Sequence, residues 1–268
     1  MMKRIIVYIL SVTLVSCVSV GRRLSIAKSS ESGTGTVVTG KPARPTPIAV
    51  GSSSIEYSGF KVSYNASRKI PDWVLYELTA SQTDGPYSRK GKDFQPDPGL
   101  SLPQANDGDY RRSGWSRGHM APAADFKWSD RAMTETFYYT NICPQNSTLN
   151  QKYWNTLEKK VRKCAMEFGK VWVVTGPVVG GNVYGTIGAG KVVVPDALFK
   201  AMLAQVGGRW VSLGFIMSNN ADVQTMKSSA VTVNEIERQT GQDLFDFLPD
   251  EIEEQVESQL DYKFWKIY

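Results

Sequence analysis

The 268-residue chain contains one histidine, so any imidazole chemistry is confined to His119. It lies in the run Gly114-Trp115-Ser116-Arg117-Gly118-His119-Met120-Ala121-Pro122. An imidazole with an ordinary pKa of about 6.5 accepts a proton from water near neutrality. Arg117, two residues earlier, offers parallel donors that match phosphate oxygens, and Gly118 between them allows close backbone approach to a ligand. Taken singly, each has a plainer alternative: a hydrogen-bonded structural histidine and a surface or ion-paired arginine.

A second stretch, Asn141 to Asn150, runs into Trp154, Leu157 and Glu158. The spacing puts Asn150 at the start of a helix, where free N–H groups and the dipole favour an anion. Its amide oxygen is a hard, neutral ligand suited to Mg²⁺, which keeps most of its water and takes few protein ligands. The alternative for Asn150 is a helix N-cap, and for Asn141 a turn residue. Glu158 is eight residues on, about 12 Å along a helix axis, so it reaches the same ion only through water. Its alternative is an i,i+4 partner of Arg162 on a solvated face.

Together these motifs resemble the sugar-non-specific DNA/RNA endonucleases, ββα-metal nucleases similar to mitochondrial endonuclease G. The resemblance is carried by Ser116-Arg117-Gly118-His119 with Pro122, Asn141-x-x-Pro144-Gln145, and Asn150-x-x-x-Trp154-x-x-Leu157-Glu158. It extends from near Tyr57 to about Leu248, through Ile70-Pro71-x-Trp73-Val74-x-Tyr76-Glu77-Leu78 and Thr175-Gly176-Pro177. It implies a central antiparallel sheet flanked by helices, and hydrolysis of DNA and RNA with little sequence preference, leaving 5′-phosphates. By the same resemblance His119 is the general base, and Asn150 the direct ligand of a hydrated Mg²⁺, with Mn²⁺ as the alternative. Glu158 holds a water of that ion, Asn141 orients the site beside His119, and Arg117 binds phosphate or supports the site. Arg89, in Arg89-x-x-x-x-Phe94-x-x-Asp97, stabilises transition-state charge, with Lys90 and Lys92 as competitors. One departure stands out: the family usually carries aspartate where this chain has Ser116, which bears on metal or pH preference.

The elements that must position these residues are legible as a mixed α+β pattern. Phe60 to Tyr64 alternates like a strand, and Trp73 to Thr79 is rich in aromatic and β-branched residues. Val171 to Thr175 reads as a buried strand ended by Gly176-Pro177. Phe199 to Val206 and Trp210 to Met217 read as a hairpin about Gly207-Gly208. Trp154, Leu157, Val161 and Cys164 recur at helical spacing between Asn150 and Phe168. Thr232-Val233-Asn234-Glu235 is a capping box for a helix stopping at Gly241, and a last helix starts at Asp250 after Pro249.

The chain carries a formal net charge of +5. Residues 243–261 hold eight acids and no base, so residues 17–242 carry 27 basic against 18 acidic side chains. A basic body suits a polyanion. Lys152, Lys159, Lys160, Arg162 and Lys163 are placed to track a phosphate backbone without reading sequence. The only long apolar run is N-terminal, which excludes a polytopic membrane protein, and three cysteines are too few for a disulfide scaffold. Cys143 and Cys164 are expected to be buried free thiols.

Met1-Met2-Lys3-Arg4 followed by apolar Ile5 to Val15 and then Ser16-Cys17 resembles a bacterial lipoprotein signal. The expectation is an exported protein, periplasmic or at the cell surface, anchored to the membrane by a lipid at Cys17. Residues 1–16 are the signal, 17–55 a Ser/Gly/Pro-rich tether, and 56–268 the endonuclease domain. Two rival readings remain at this point: a catalytically weak nucleic-acid-binding lipoprotein, and an enzyme for another phosphodiester.

Overall fold

The computed structural model describes residues 54–181 and 183–267, all within the compact unit Arg44–Tyr268. The expectations for the signal, Cys17 and most of the tether fall outside the described residues. Eleven strands are described: β1 Ser54–Glu56, β2 Lys61–Asn65, β3 Ile70–Thr79, β4 Ser116–His119, β5 Ile142–Gln145, β6 Lys170–Val178, β7 Thr186–Ile187, β8 Val192–Val193, β9 Ala197–Val206, β10 Arg209–Ser218 and β11 Ala230–Val231. The helices are α1 Asp107–Tyr110, α2 Asp130–Glu135, α3 Asn155–Phe168, α4 Met226–Ser229, α5 Val233–Thr240, α6 Asp250–Glu257 and α7 Tyr262–Trp265. A π-helical segment, Leu149–Trp154, leads directly into α3.

Seven strands form one antiparallel sheet in the order β1-β2-β3-β6-β9-β10-β11. The expected α+β class with a central antiparallel sheet is therefore the observed one. Its middle strands read as near-continuous apolar runs because both faces are covered. On β9, Leu198, Met202 and Ala204 join the core beneath β4, β5 and α3, while Phe199, Ala201 and Leu203 join the core beneath α5 and α6. The period of two carries both cores on one strand.

The β9–β10 hairpin turns at Gly207 (φ 59°) and Gly208 (φ 83°). Both central residues need positive φ there, the tight turn that matches strand twist. Thr232 caps α5 by accepting from the Glu235 N–H at 3.2 Å, and Gly241 ends the helix in the left-handed region. The Glu235 carboxylate turns instead to Arg238 and Gln239, so half of the expected capping box forms. Strand β6 does not end at Gly176-Pro177 but runs to Val178. β3 pairs with β6 only as far as Val74↔Thr175, so Pro177 needs no donor on that side and stays paired with Leu198 of β9. Gly176 is needed at this crossing, since a Cβ there would lie 2.6 Å from the Asp72 carbonyl oxygen.

Candidate active site

Strands β4 and β5 pair antiparallel, with Ser116 opposite Gln145, Gly118 opposite Cys143 and His119 opposite Ile142. The chain then turns through Asn146 into the π-helical segment and α3, which makes a strand–strand–helix unit laid on the central sheet. The pairing is close: a Cβ on Gly118 would stand 2.7 Å from the Gln145 Cβ. Asn219, wholly buried at the end of β10, fixes the turn. Its amide donates to the carbonyls of Pro144 (3.0 Å) and Pro195 (2.8 Å) and accepts from the Asn146 N–H (2.8 Å).

His119 is half-buried, and its Nε2 is sealed from solvent without a hydrogen-bond partner. Its ring lies between Phe94 (centroids 5.2 Å apart) and Phe137 (5.0 Å, edge-on). Desolvation, assisted by the Arg89 guanidinium, holds the imidazole well below its ordinary range, at about 3. The ring is therefore neutral at pH 7. Asn141 locks the chain just beyond it. Its Oδ1 accepts from the Ala121 N–H at 2.9 Å, and its Nδ2 donates to the carbonyls of Ala121 (2.9 Å) and Thr136 (2.8 Å). Fully buried, with both N–H donors and Oδ1 bonded to the backbone, Asn141 is turned away from any ligand in solvent.

Arg117 is held on the same face of β4 as His119. It pairs with Asp107, donates from Nε to the Tyr139 hydroxyl at 3.2 Å, and lies over the rings of Phe94 (5.7 Å) and Tyr110 (5.3 Å). These contacts suit a support for the site, since much of the fork is already engaged. Arg89 is exposed, with its guanidinium 5.4 Å from the Phe137 ring that His119 also touches. Of its competitors, Lys92 is committed to Asp130 and Thr134, both at 2.7 Å.

Asn150 is not the helix cap. The Asn146 side chain accepts from the N–H groups of Thr148 (2.9 Å) and Leu149 (3.3 Å), and the Asn150 backbone N–H already bonds back to the Asn146 carbonyl. Capping by Asn146 leaves the half-buried Asn150 amide without a side-chain hydrogen bond among the described residues. Nor does Glu158 pair with Arg162, whose Nη1 instead stands 2.6 Å from the buried Asp125 Oδ1. Desolvation raises the Glu158 pKa, while the positive charges of Lys200, Arg162 and Arg89 oppose that rise. A neutral amide oxygen and a half-buried carboxylate, both without a hydrogen-bond or ion-pair partner among the described residues, are hard donors that fit a hydrated Mg²⁺.

Two expectations need correction here. Arg162 is not a backbone-tracking cation, because the Asp125 pairing draws it inward to 16% exposure, whereas Lys152, Lys159 and Lys163 stay exposed. The i,i+4 alternative for Glu158 fails for the same reason. Cys143 and Cys164 are free and buried, as expected. Phe94, quoted from sequence only as part of the Arg89 motif, walls the imidazole together with Phe137; Phe137 and Lys200 are not singled out from sequence. The signal for Lys200 was a lysine within the apolar run Leu198-Phe199-Lys200-Ala201-Met202.

A family model described as DNA/RNA non-specific endonuclease matches residues 42–251. The chain belongs to this family. Among its relatives within the non-specific endonucleases, it is 37% identical over 206 residues to the mitochondrial nuclease EXOG of Danio rerio, covering 71% of this chain and 60% of that one. Human mitochondrial endonuclease G is 34% identical over 182 residues, covering 63% and 61%. The chain thus spans about three fifths of the length of these two curated relatives. A solved structure of an EndoG/EndoGI complex matches with a TM-score of 0.69 and 29% identity, covering 73% of this chain and 86% of that one.

The mitochondrial names of these relatives overturn the expectation of an exported bacterial lipoprotein. The physical source of that misreading is composition. Residues 1–30 hold five basic and no acidic side chains among several serines, a pattern that organelle-targeting segments share with the basic start of a secretory signal. Among the described residues, no helix is long and apolar enough to cross a membrane.

Proposed function

We propose that this protein is a metal-dependent endonuclease that hydrolyses phosphodiester bonds in DNA and RNA with little sequence preference. One observation carries the reading. On the β4–β5–α3 unit, His119 Nε2, the Asn150 amide and the Glu158 carboxylate all lack a hydrogen-bond partner among the described residues, beside the cation Arg89. A sealed nitrogen without a partner is costly, and it stands on one unit with two half-buried hard donors that no protein group engages, an arrangement that suits a ligand.

In this reading the neutral His119 imidazole takes the proton of the attacking water, a step worth roughly 10² to 10⁴ in rate. Asn150 holds the divalent ion directly and Glu158 reaches it through water. When bound, the ion offsets charge on the phosphate and the leaving 3′ oxygen. Arg89, exposed beside the imidazole, faces the charge that develops on the phosphate. Arg117 and Asn141 hold the strand and the turn that carry His119. Exposed Lys152, Lys159 and Lys163 add contacts to phosphates, so affinity falls steeply with salt and little base preference results. Relatives with mitochondrial names make mitochondrial nucleic acid the natural place to look for a substrate.

Incubation of the full chain with supercoiled plasmid and with RNA tests this, in Mg²⁺, in Mn²⁺ and in EDTA. Loss of both substrates with metal and protection in EDTA is expected. Binding without cleavage in every divalent metal would instead favour a catalytically weak nucleic-acid-binding protein.

A further inference from the structure

Lys200 is 0% exposed in the inner half of the sheet, on β9 between Thr175 of β6 and Phe215 of β10. Its neighbours at i±2, Leu198 and Met202, both belong to the core under the strand–strand–helix unit, so Lys200 is the polar member of an otherwise apolar face. Burying an ammonium is costly even after relaxation. No carboxylate among the described residues comes within ion-pair distance to offset it. Instead Nζ donates to the Met120 carbonyl at 3.4 Å and stands 4.8 Å from the Trp154 ring centroid. Those partners belong to the two halves of the site. Met120 directly follows His119, and Trp154 lies one turn after Asn150 and one turn before Glu158.

We propose that Lys200 is a positioning residue: anchored in the central sheet, its ammonium ties the Met120 carbonyl and the Trp154 ring to one point, and so sets the strand of His119 in register with the helical segment of Asn150 and Glu158. The inference rests on the nuclease reading for its consequence in catalysis, but not for its geometry. Strand β9 is paired on both sides within the sheet, and a single charge donating to one half and lying over an aromatic face of the other fixes their separation. Electrostatics agree. Burial disfavours the Lys200 ammonium, while Glu158 and Asp125 favour it, so the charge belongs to the same field as the site. An apolar side chain of similar volume would pack there without that cost, which leaves stability a poor account of why a lysine occupies the position.

The test is Lys200→Met in the full chain, a substitution that keeps an unbranched apolar stem and removes the ammonium. Because the chain has one histidine, its imidazole gives a single set of NMR signals that reports directly on His119. The expected result is a melting temperature equal to or above wild type, with His119 ring signals shifted or broadened. On plasmid, kcat should fall roughly 10- to 100-fold with KM nearly unchanged, since a small misplacement costs that much and Lys200 cannot touch substrate. Lys200→Gln, which keeps a donor without the charge, should fall between the two and serves if the Met variant does not fold. Unmoved His119 signals with an unchanged kcat would overturn the proposal, as would a kcat loss that merely follows the unfolded fraction. If the wild type cleaves nothing, the nuclease reading fails on its own, and the His119 signals of the variant still decide whether Lys200 positions the ring.

Discussion

Glu158 and Arg162 lie one turn apart on α3 and do not pair: Arg162 Nη1 reaches across to Asp125 Oδ1 at 2.6 Å, and Tyr76 Oη donates to the other oxygen of that carboxylate at 2.9 Å. The ordinary helical salt bridge is given up, and with it the simplest way to neutralise Glu158. The carboxylate is left facing the site. Burial raises the Asp125 pKa, and Arg162 and Tyr76 oppose the rise, so the ion pair is kept by its hydrogen bonds.

Removing one partner of this pair should be expensive. Asp125→Ala leaves a guanidinium with 16% exposure and without its hydrogen-bonded counter-charge, and the expected loss is about 3–5 kcal/mol in denaturant unfolding. A midpoint equal to wild type would mean the pair carries no stability.

Asn141 is predicted to act through the turn after His119 rather than on substrate. Asn141→Leu removes three buried hydrogen bonds and strands the Ala121 N–H and two carbonyls, at about 1–3 kcal/mol for each group left unpaired. Melting temperature and kcat should fall together while the midpoint of a Mg²⁺ titration stays put. A shifted metal midpoint with normal stability would place Asn141 at the ion instead.

Gly118 is fixed by the approach of β5. In Gly118→Ala the new methyl would lie 2.1 Å from Gln145 Oε1 and 2.7 Å from its Cβ, and only the first of these can swing away. The strands must part, so both stability and turnover should drop. Wild-type turnover in this variant would show that β4 and β5 tolerate separation.

Much of this arrangement was legible from residue pattern. The two glycines of the β9–β10 turn, the helical spacing of Trp154, Leu157, Val161 and Cys164, and Thr232 with Gly241 each specify a local structure by local chemistry. What was not legible depends on partners distant in sequence. Asn146 rather than Asn150 caps the helix entry because Asn219, 73 residues away, orients the Asn146 backbone. Arg162 turns inward because Asp125 waits there, 37 residues earlier. Pro177 stays within β6 because β3 has already left that edge. Lys200 looks like an ordinary strand lysine until the strand–strand–helix unit covers it.

The Glu158 carboxyl gives a pH signature. Its pKa rises from 4.5 to about 7 on folding, chiefly through desolvation. Between these values the folded state binds more protons than the unfolded one, so this group makes stability fall as pH rises, and above pH 7 the cost is complete. In metal-free buffer Glu158→Gln should therefore gain melting temperature over wild type as pH goes from 4 to 8, while losing most activity. A stability difference independent of pH would contradict the desolvated carboxyl.

The central claim is that the neutral His119 imidazole activates water in a metal-dependent nuclease. The most direct measurement is single-turnover cleavage of plasmid by wild type and His119→Ala in Mg²⁺, with DNA affinity measured on both in EDTA. The account predicts equal affinity and a rate lower by roughly 10² to 10⁴ in the variant, with no second histidine to take over. A variant that cleaves at the wild-type rate would contradict it.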